Sequence, residues 1–195
     1  MATVEYPSLL PFAISEPKWD ALVAGGDGDN YYYSSGGVTS GSDGIAEIQV
    51  FPQNNWNGNG LPPGHYRSLQ IGPQSGDAVL RRQIDMGPSS SDFAYHGGPI
   101  QVGMQLPGKT GVNASIKTAF NGGNANGREY AGIFGKTRFM PIYNAVSGND
   151  ANALFTIEEF VTVRIMYLNM TGGNKMIVIQ PVNQVEYLSN FYLTR

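Results

Sequence analysis

Cysteine is absent from the 195 residues, which removes disulfides, thiolate nucleophiles and cysteine-ligated zinc together. A small eukaryotic scaffold held by disulfides is excluded, and either side of a bacterial membrane is compatible. Charge is scarce: 14% of residues are charged, the net charge is −3, and the twelve basic residues are scattered, with Arg81-Arg82 the one adjacent pair. Nucleic-acid binding needs a basic footprint to neutralise phosphates, and none is visible. No apolar run reaches the roughly 18 residues of a membrane-spanning helix. The opening MATVEYPSLLPFAIS lacks a basic region followed by an apolar core of signal-peptide length. As written, the chain reads as soluble and without membrane contact of its own, although it could equally be the exposed part of an anchored protein.

What the chain has in quantity is glycine and proline, 26 and 12 residues, without the periodicity of a fibre. That composition describes one loop-rich globular domain spanning residues 1–195, with a surface built from Asn, Ser, Gln and Thr. Ser15 followed by EPKWDALVA and Gly25-Gly26 predicts a capped short helix with Trp19, Leu22 and Val23 facing the core. The alternation in IAEIQVF predicts a half-buried strand over Ile45–Phe51, with Ala46, Ile48 and Val50 as its apolar side. NNWNGNGLPPG, from Asn54, reads as a surface loop carrying Trp56. Further strands are expected at Tyr66–Ile71 and Ile100–Leu106. A helix capped by Ser75 should present Val79, Leu80 and Ile84, and one capped by Thr110 should present Val112, Ile116, Ala119 and Phe120. Ser89–Asp92 reads as a cap or a single turn.

The densest strand signal is C-terminal. Phe139–Val146, Leu154–Met170 and Lys175–Pro181 are rich in β-branched and aromatic residues and are separated by SGNDAN and TGGN, which are turn compositions. They predict a β-meander, with a last strand in Gln184–Leu193. The fold class is therefore α+β: a mainly antiparallel sheet with a C-terminal β-meander and two or three short helices.

Candidate sites are few. Asp27, Asp29 and Asn30 in GDGDN, with Asp43 of GSDG, are the best calcium candidates, because that ion takes several oxygens from a flexible loop. The same residue types are ordinary turn formers. Tyr31, Tyr32, Tyr33 and Trp56 form an aromatic group suited to a protein or glycan contact, or to packing. His65 and His96 are the only histidines and lack the spacing that brings two imidazoles to one zinc. Ser89–Ser91, Asp92 and His96 lie close along the chain without a nucleophile-elbow motif, so a hydrolase is the least favoured reading. Glu158 and Glu159 are expected on opposite strand faces, one of them in solvent and the other paired with Arg164 or another base.

In order along the chain, LPFAISEPKWDALVAGGDGDNYYY, VTSGSDGIAEIQVFPQ, LRRQIDMG, DFAYHGG, GKTGVNASIK and FMPIYNAVSGNDANALFTIEEFVTVRIMYLNMTGGNKMIVIQP resemble the C-terminal extracytoplasmic region of TadG-like pilus-assembly proteins of tight-adherence (Tad/Flp) systems, of the planctomycete type. The resemblance runs from about Leu10 to Pro181. It departs in EEF at Glu158–Phe160, where the family has a small apolar sequence, in the inserted NGGNANGREYAG, and in the missing N-terminal transmembrane helix. It implies a non-enzymatic protein of the periplasm or cell surface that contacts proteins of a pilus-assembly or surface complex, or itself. No catalytic residues are carried over from it. The residues leave open a calcium-dependent or glycan-binding adhesion module and a self-assembling structural protein.

Overall fold

A computed structural model describes residues 8–51, 68–109, 114–148, 152–170 and 176–182. Within them the chain runs β1 (Ile14–Ser15), α1 (Glu16–Val23), β2 (Tyr31–Ser34), β3 (Gly37–Ser40), β4 (Ile48–Phe51), β5 (Ser68–Leu69), α2 (Asp77–Met86), α3 (Ser90–Ala94) and β6 (Gln105–Lys109). A 3-10 turn (Ala114–Ile116) leads into α4 (Lys117–Asn121), followed by β7 (Gly123–Ala125), β8 (Arg128–Tyr130), β9 (Thr137–Ser147), β10 (Leu154–Asn169) and β11 (Met176–Pro181). The fold is α+β, with a mainly antiparallel sheet and a C-terminal meander, as its sequence predicts. The expected strand at 184–193, Trp56, Thr110 and Val112 lie outside the described residues.

The meander organises the molecule. β9 and β10 pair antiparallel from Leu154↔Ser147 to Arg164↔Thr137, and β11 pairs with the far half of β10 from Val163↔Pro181 to Asn169↔Met176. The near end of β10, Leu154–Thr156, pairs with β6, and β6 pairs with β5. Ser68 of β5 is bridged to Phe12, and Leu9 is bridged to Phe139 of β9, beside the parallel pair Ile14↔Ile142. Residues 9–15 therefore form a strap that closes a ring of strands, β9–β10–β6–β5–strap. Leu10, Phe12 and Ile14 enter the core from this strap, each at most 5% exposed. Burying side chains of that size contributes about 1.5–3 kcal/mol each.

Two apolar clusters follow from the division of β10. One gathers the strap, Leu22, Ile84, Ile116, Phe120 and the far halves of β10 and β11. The other gathers Leu69, Ile71, Leu106, Tyr143, Phe155 and Ile157 around the near end.

Several elements depart from expectation for local reasons. Val23 is 69% exposed while Leu22 is buried, because successive helical side chains are rotated by about 100° and only one of the two can face the sheet. In α2 the N-cap is Gly76, without a side-chain cap, and the buried residues are Arg81, Gln83 and Ile84. Gln83 is drawn in because its amide donates to the Ile71 carbonyl, and Arg81 donates to the Tyr130 hydroxyl at 3.4 Å. Ser89–Asp92 is the capping box of a true helix, α3, in which the Ser89 hydroxyl and the Asp92 carboxylate exchange bonds with each other's backbone N–H. The strand expected at Ile100–Leu106 begins only at Gln105. Before it, Gly103 N–H donates to Ile157 O at 2.7 Å and Ile157 N–H to Met104 O at 2.9 Å, against a stretch of β10 whose register shifts. The inserted NGGNANGREYAG is a hairpin, β7–β8, turned by Asn126 and Gly127, both at positive φ.

Candidate functional site

The glycines that end α1 start the site. Gly26 takes φ +62°, and a Cβ there would overlap the Glu47 carbonyl oxygen, so the chain can pass this close to the strand only without a side chain. Asp27 N–H then donates to Glu47 O, and Glu47 N–H to Gly28 O, both at 2.7 Å. The chain rises into the β2–β3 hairpin and returns through 41–47, so that Asp27–Gly44 forms one loop system set on the β4–β11 end of the sheet.

Side-chain oxygens hold this system together. Glu47 is 2% exposed, and its carboxylate accepts from Asn30 N–H at 3.0 Å and Tyr31 N–H at 2.8 Å. Burial raises its pKa, the two amides oppose that, and the Asp29 charge adds to the rise. Asp29 accepts from the Ser42 hydroxyl at 2.5 Å, Asp43 N–H at 3.0 Å and Gly44 N–H at 2.7 Å. Those bonds, that of Ser42 foremost, hold its carboxyl below the usual value. Asp43 accepts from Ile45 N–H at 3.0 Å. Gln180 of β11, 2% exposed, turns its amide N–H groups toward the Tyr31 carbonyl at 3.2 Å, the Asp43 carboxylate at 3.1 and 3.2 Å and the Ile45 carbonyl at 3.4 Å. Asp27 accepts from Gln49 N–H at 3.0 Å and from Lys18 Nζ at 3.4 Å.

The four residues proposed to bind calcium, Asp27, Asp29, Asn30 and Asp43, thus share one loop system, but what they build there is a set of hydrogen bonds. Their carboxylate oxygens face N–H and O–H donors, whereas a cation needs lone pairs that converge without hydrogens between them. Among the described residues no group of three or more His, Asp or Glu is placed to hold a metal.

The tyrosines divide by strand alternation. Tyr31 stacks on Tyr167 of β10, ring centres 5.2 Å apart at 14°, and Tyr33 receives the Arg164 guanidinium 3.9 Å from its ring centre. Arg164 also donates to the Gly135 carbonyl at 2.7 Å. Tyr31 and Tyr33 thus fasten the hairpin to the sheet, while Tyr32 points the other way. Tyr32 and Tyr33, on opposite faces of the hairpin, remain 36% and 44% exposed.

The other constellations are hydrogen-bonded within the fold. His96 Nε2 accepts from Gly72 N–H at 3.3 Å, and burial lowers its pKa against a hydrogen bond with the Gln70 backbone. Its basic nitrogen is thereby spent on backbone rather than on a serine hydroxyl. Asp92 is occupied by Ser89 and by Arg82, the latter at 2.6 Å. Glu158 and Glu159 are both exposed, beside the β10 register shifts. Glu158 accepts from the Asn144 amide at 2.5 Å. Burial, then Glu158, Glu16 and Asp20, raise the Glu159 pKa. Arg164 is engaged with Tyr33 and Gly135, so the expected pairing with it does not form. A cleft of about 300 Å³ lies between β5 and the start of α2, bordered by Ser68, Gln70, Ser75, Asp77, Gln83 and Lys109; among the described residues its lining contains no histidine.

Glu47 and Gln180, which carry the loop, are the residues sequence reasoning missed. The period of IAEIQVF assigns Glu47 to a solvent side, and nothing local signals that a distant hairpin covers it. No family model matches the chain, and no curated protein or solved structure matches it.

Proposed function

We propose that this domain is a non-enzymatic, extracytoplasmic surface domain that acts through protein–protein contacts in the assembly of a tight-adherence pilus, with the β2–β3 hairpin as its contact element. The observation that carries the reading is the use made of the polar side chains. Asp29, Asp43, Glu47 and Gln180 all serve to fix one loop system on the sheet, and that system displays Tyr32 and Tyr33. Rigid, partly exposed aromatics offer contact area at low entropic cost. The ordered resemblance from Leu10 to Pro181 supports the pilus context. Replacing the native gene by a Tyr32→Ser variant in the encoding organism, which leaves the Tyr33–Arg164 contact in place, is expected to reduce pilus number and surface adherence while the protein accumulates normally. Unchanged pili and adherence would reject the reading.

The exposed tyrosines favour a second reading, a glycan-binding adhesion module, since aromatic faces also stack on sugar rings. Glycan-array binding that is lost in the same variant, with pili unaffected, would select it. A calcium-dependent version is expected to fail: millimolar calcium should leave the melting midpoint unchanged, because a ligand of the native state must raise it.

A further inference from the structure

Among the described residues β4 is the terminal strand of the main sheet. Its outer side begins with main-chain pairing, Glu47 to Asp27 and Gly28. At the next outward amide the partner changes from backbone to side chain, and Gln49 N–H donates to Asp27 Oδ2 at 3.0 Å. That oxygen stands where the carbonyl of a neighbouring strand would stand. It carries a negative charge, shared with Lys18 Nζ at 3.4 Å, on a side chain that is 52% exposed.

We propose that Asp27 is an edge guard, which keeps β4 from pairing with β4 of a second copy of this chain. The occupant follows from the strand. Ile48, Gln49, Val50 and Phe51 carry no charge, so two copies meeting antiparallel about a two-fold axis bring no like charges together through the strand itself. With Asp27 present, that pairing has to displace a carboxylate from each Gln49 N–H and bring two carboxylates into one interface. Charged side chains at a sheet edge block strand addition in this way. The inference is independent of the pilus reading, since it concerns only what closes this edge.

Sedimentation over a concentration series tests it, on the wild-type chain, Asp27→Val and Asp27→Val/Gln49→Pro, with circular dichroism melts to establish that each is folded. Asp27→Val should self-associate at roughly tenfold lower concentration than wild type, equivalent to about 1.4 kcal/mol. The added proline removes the outward N–H without touching the β11 side, and should return association to the wild-type level. A folded Asp27→Val with unchanged association overturns the proposal, and so does a double variant that still associates. Asp27→Asn, judged by the same criteria, serves if Asp27→Val does not fold. Amide exchange at Gln49 gives a second readout: in Asp27→Val it should be fast when dilute and slow on concentration, and exchange independent of concentration overturns the proposal.

Discussion

Glu47 takes a carboxylate into a site that is 2% exposed, where its partners are the backbone N–H groups of Asn30 and Tyr31 and the Asn30 side chain rather than a base. Removing it by Glu47→Ala leaves the N–H groups of Asn30 and Tyr31 without their acceptor, and an unsatisfied buried donor costs about 1–3 kcal/mol. Urea unfolding should register a loss of that size, with faster amide exchange at Asn30 and Tyr31. A loss under about 0.5 kcal/mol, the range of ordinary surface changes, would show that the carboxylate does not hold the hairpin. Asp92 behaves differently. Burial raises its pKa, but the Ser89 N–H, the Arg82 guanidinium and the Ser89 hydroxyl outweigh burial and hold it below 3.8. A carboxyl depressed in the folded state contributes stability above its unfolded pKa and loses it as pH falls through the folded value. Asp92→Asn should therefore cost most at neutral pH, and its difference from wild type should shrink as pH falls below about 3.8. A difference that stays constant with pH would mean that the charge is not what matters.

At the scale of elements, propensity and tertiary pairing share the work unequally. The three runs of the meander were legible because β-branched and aromatic residues fill them and Gly/Asn turns bound them, and their observed limits differ from the expected ones by no more than two residues. α1 was legible from Pro17 and Gly25-Gly26, although Ser15 takes the N-cap position without the expected side-chain cap bond. The strand at 100–106 was displaced because its pairing is set by β10 rather than by its own residues. Gly26 marks where an element boundary and the site coincide, since the same residue ends α1 and lets the chain touch Glu47. Gly26→Ala combines a left-handed backbone, costing about 1–2 kcal/mol, with a clash against the Glu47 carbonyl. A melting midpoint lowered by several degrees is expected, together with faster exchange at the Glu47 amide; an unchanged midpoint would refute the close approach.

For the whole molecule, the strap at residues 9–15 is decisive. It joins β5 to β9, closes the ring of strands, and seats Phe12 6.3 Å from Phe120 between ring centres. Phe12→Ala removes that wedge and should cost about 3–5 kcal/mol, measured by chemical unfolding. A cost near 1 kcal/mol, the centre of the range for all point mutations, would mean that the ring holds without it.

By itself the sequence determined the strand runs, the short helices, the turn-rich loops and the scarcity of charge, because these depend on residue type and local periodicity. Only the tertiary structure decided that β10 serves two clusters, that residues 9–15 are a strap, and that the acidic loop accepts hydrogen bonds from its own amides. The physical reason is range. Gln180 reaches the Asp43 carboxylate across 137 positions and Glu47 reaches the Tyr31 amide across 16, and which donors an oxygen finds depends on which chain segments packing brings to it, which no local pattern records.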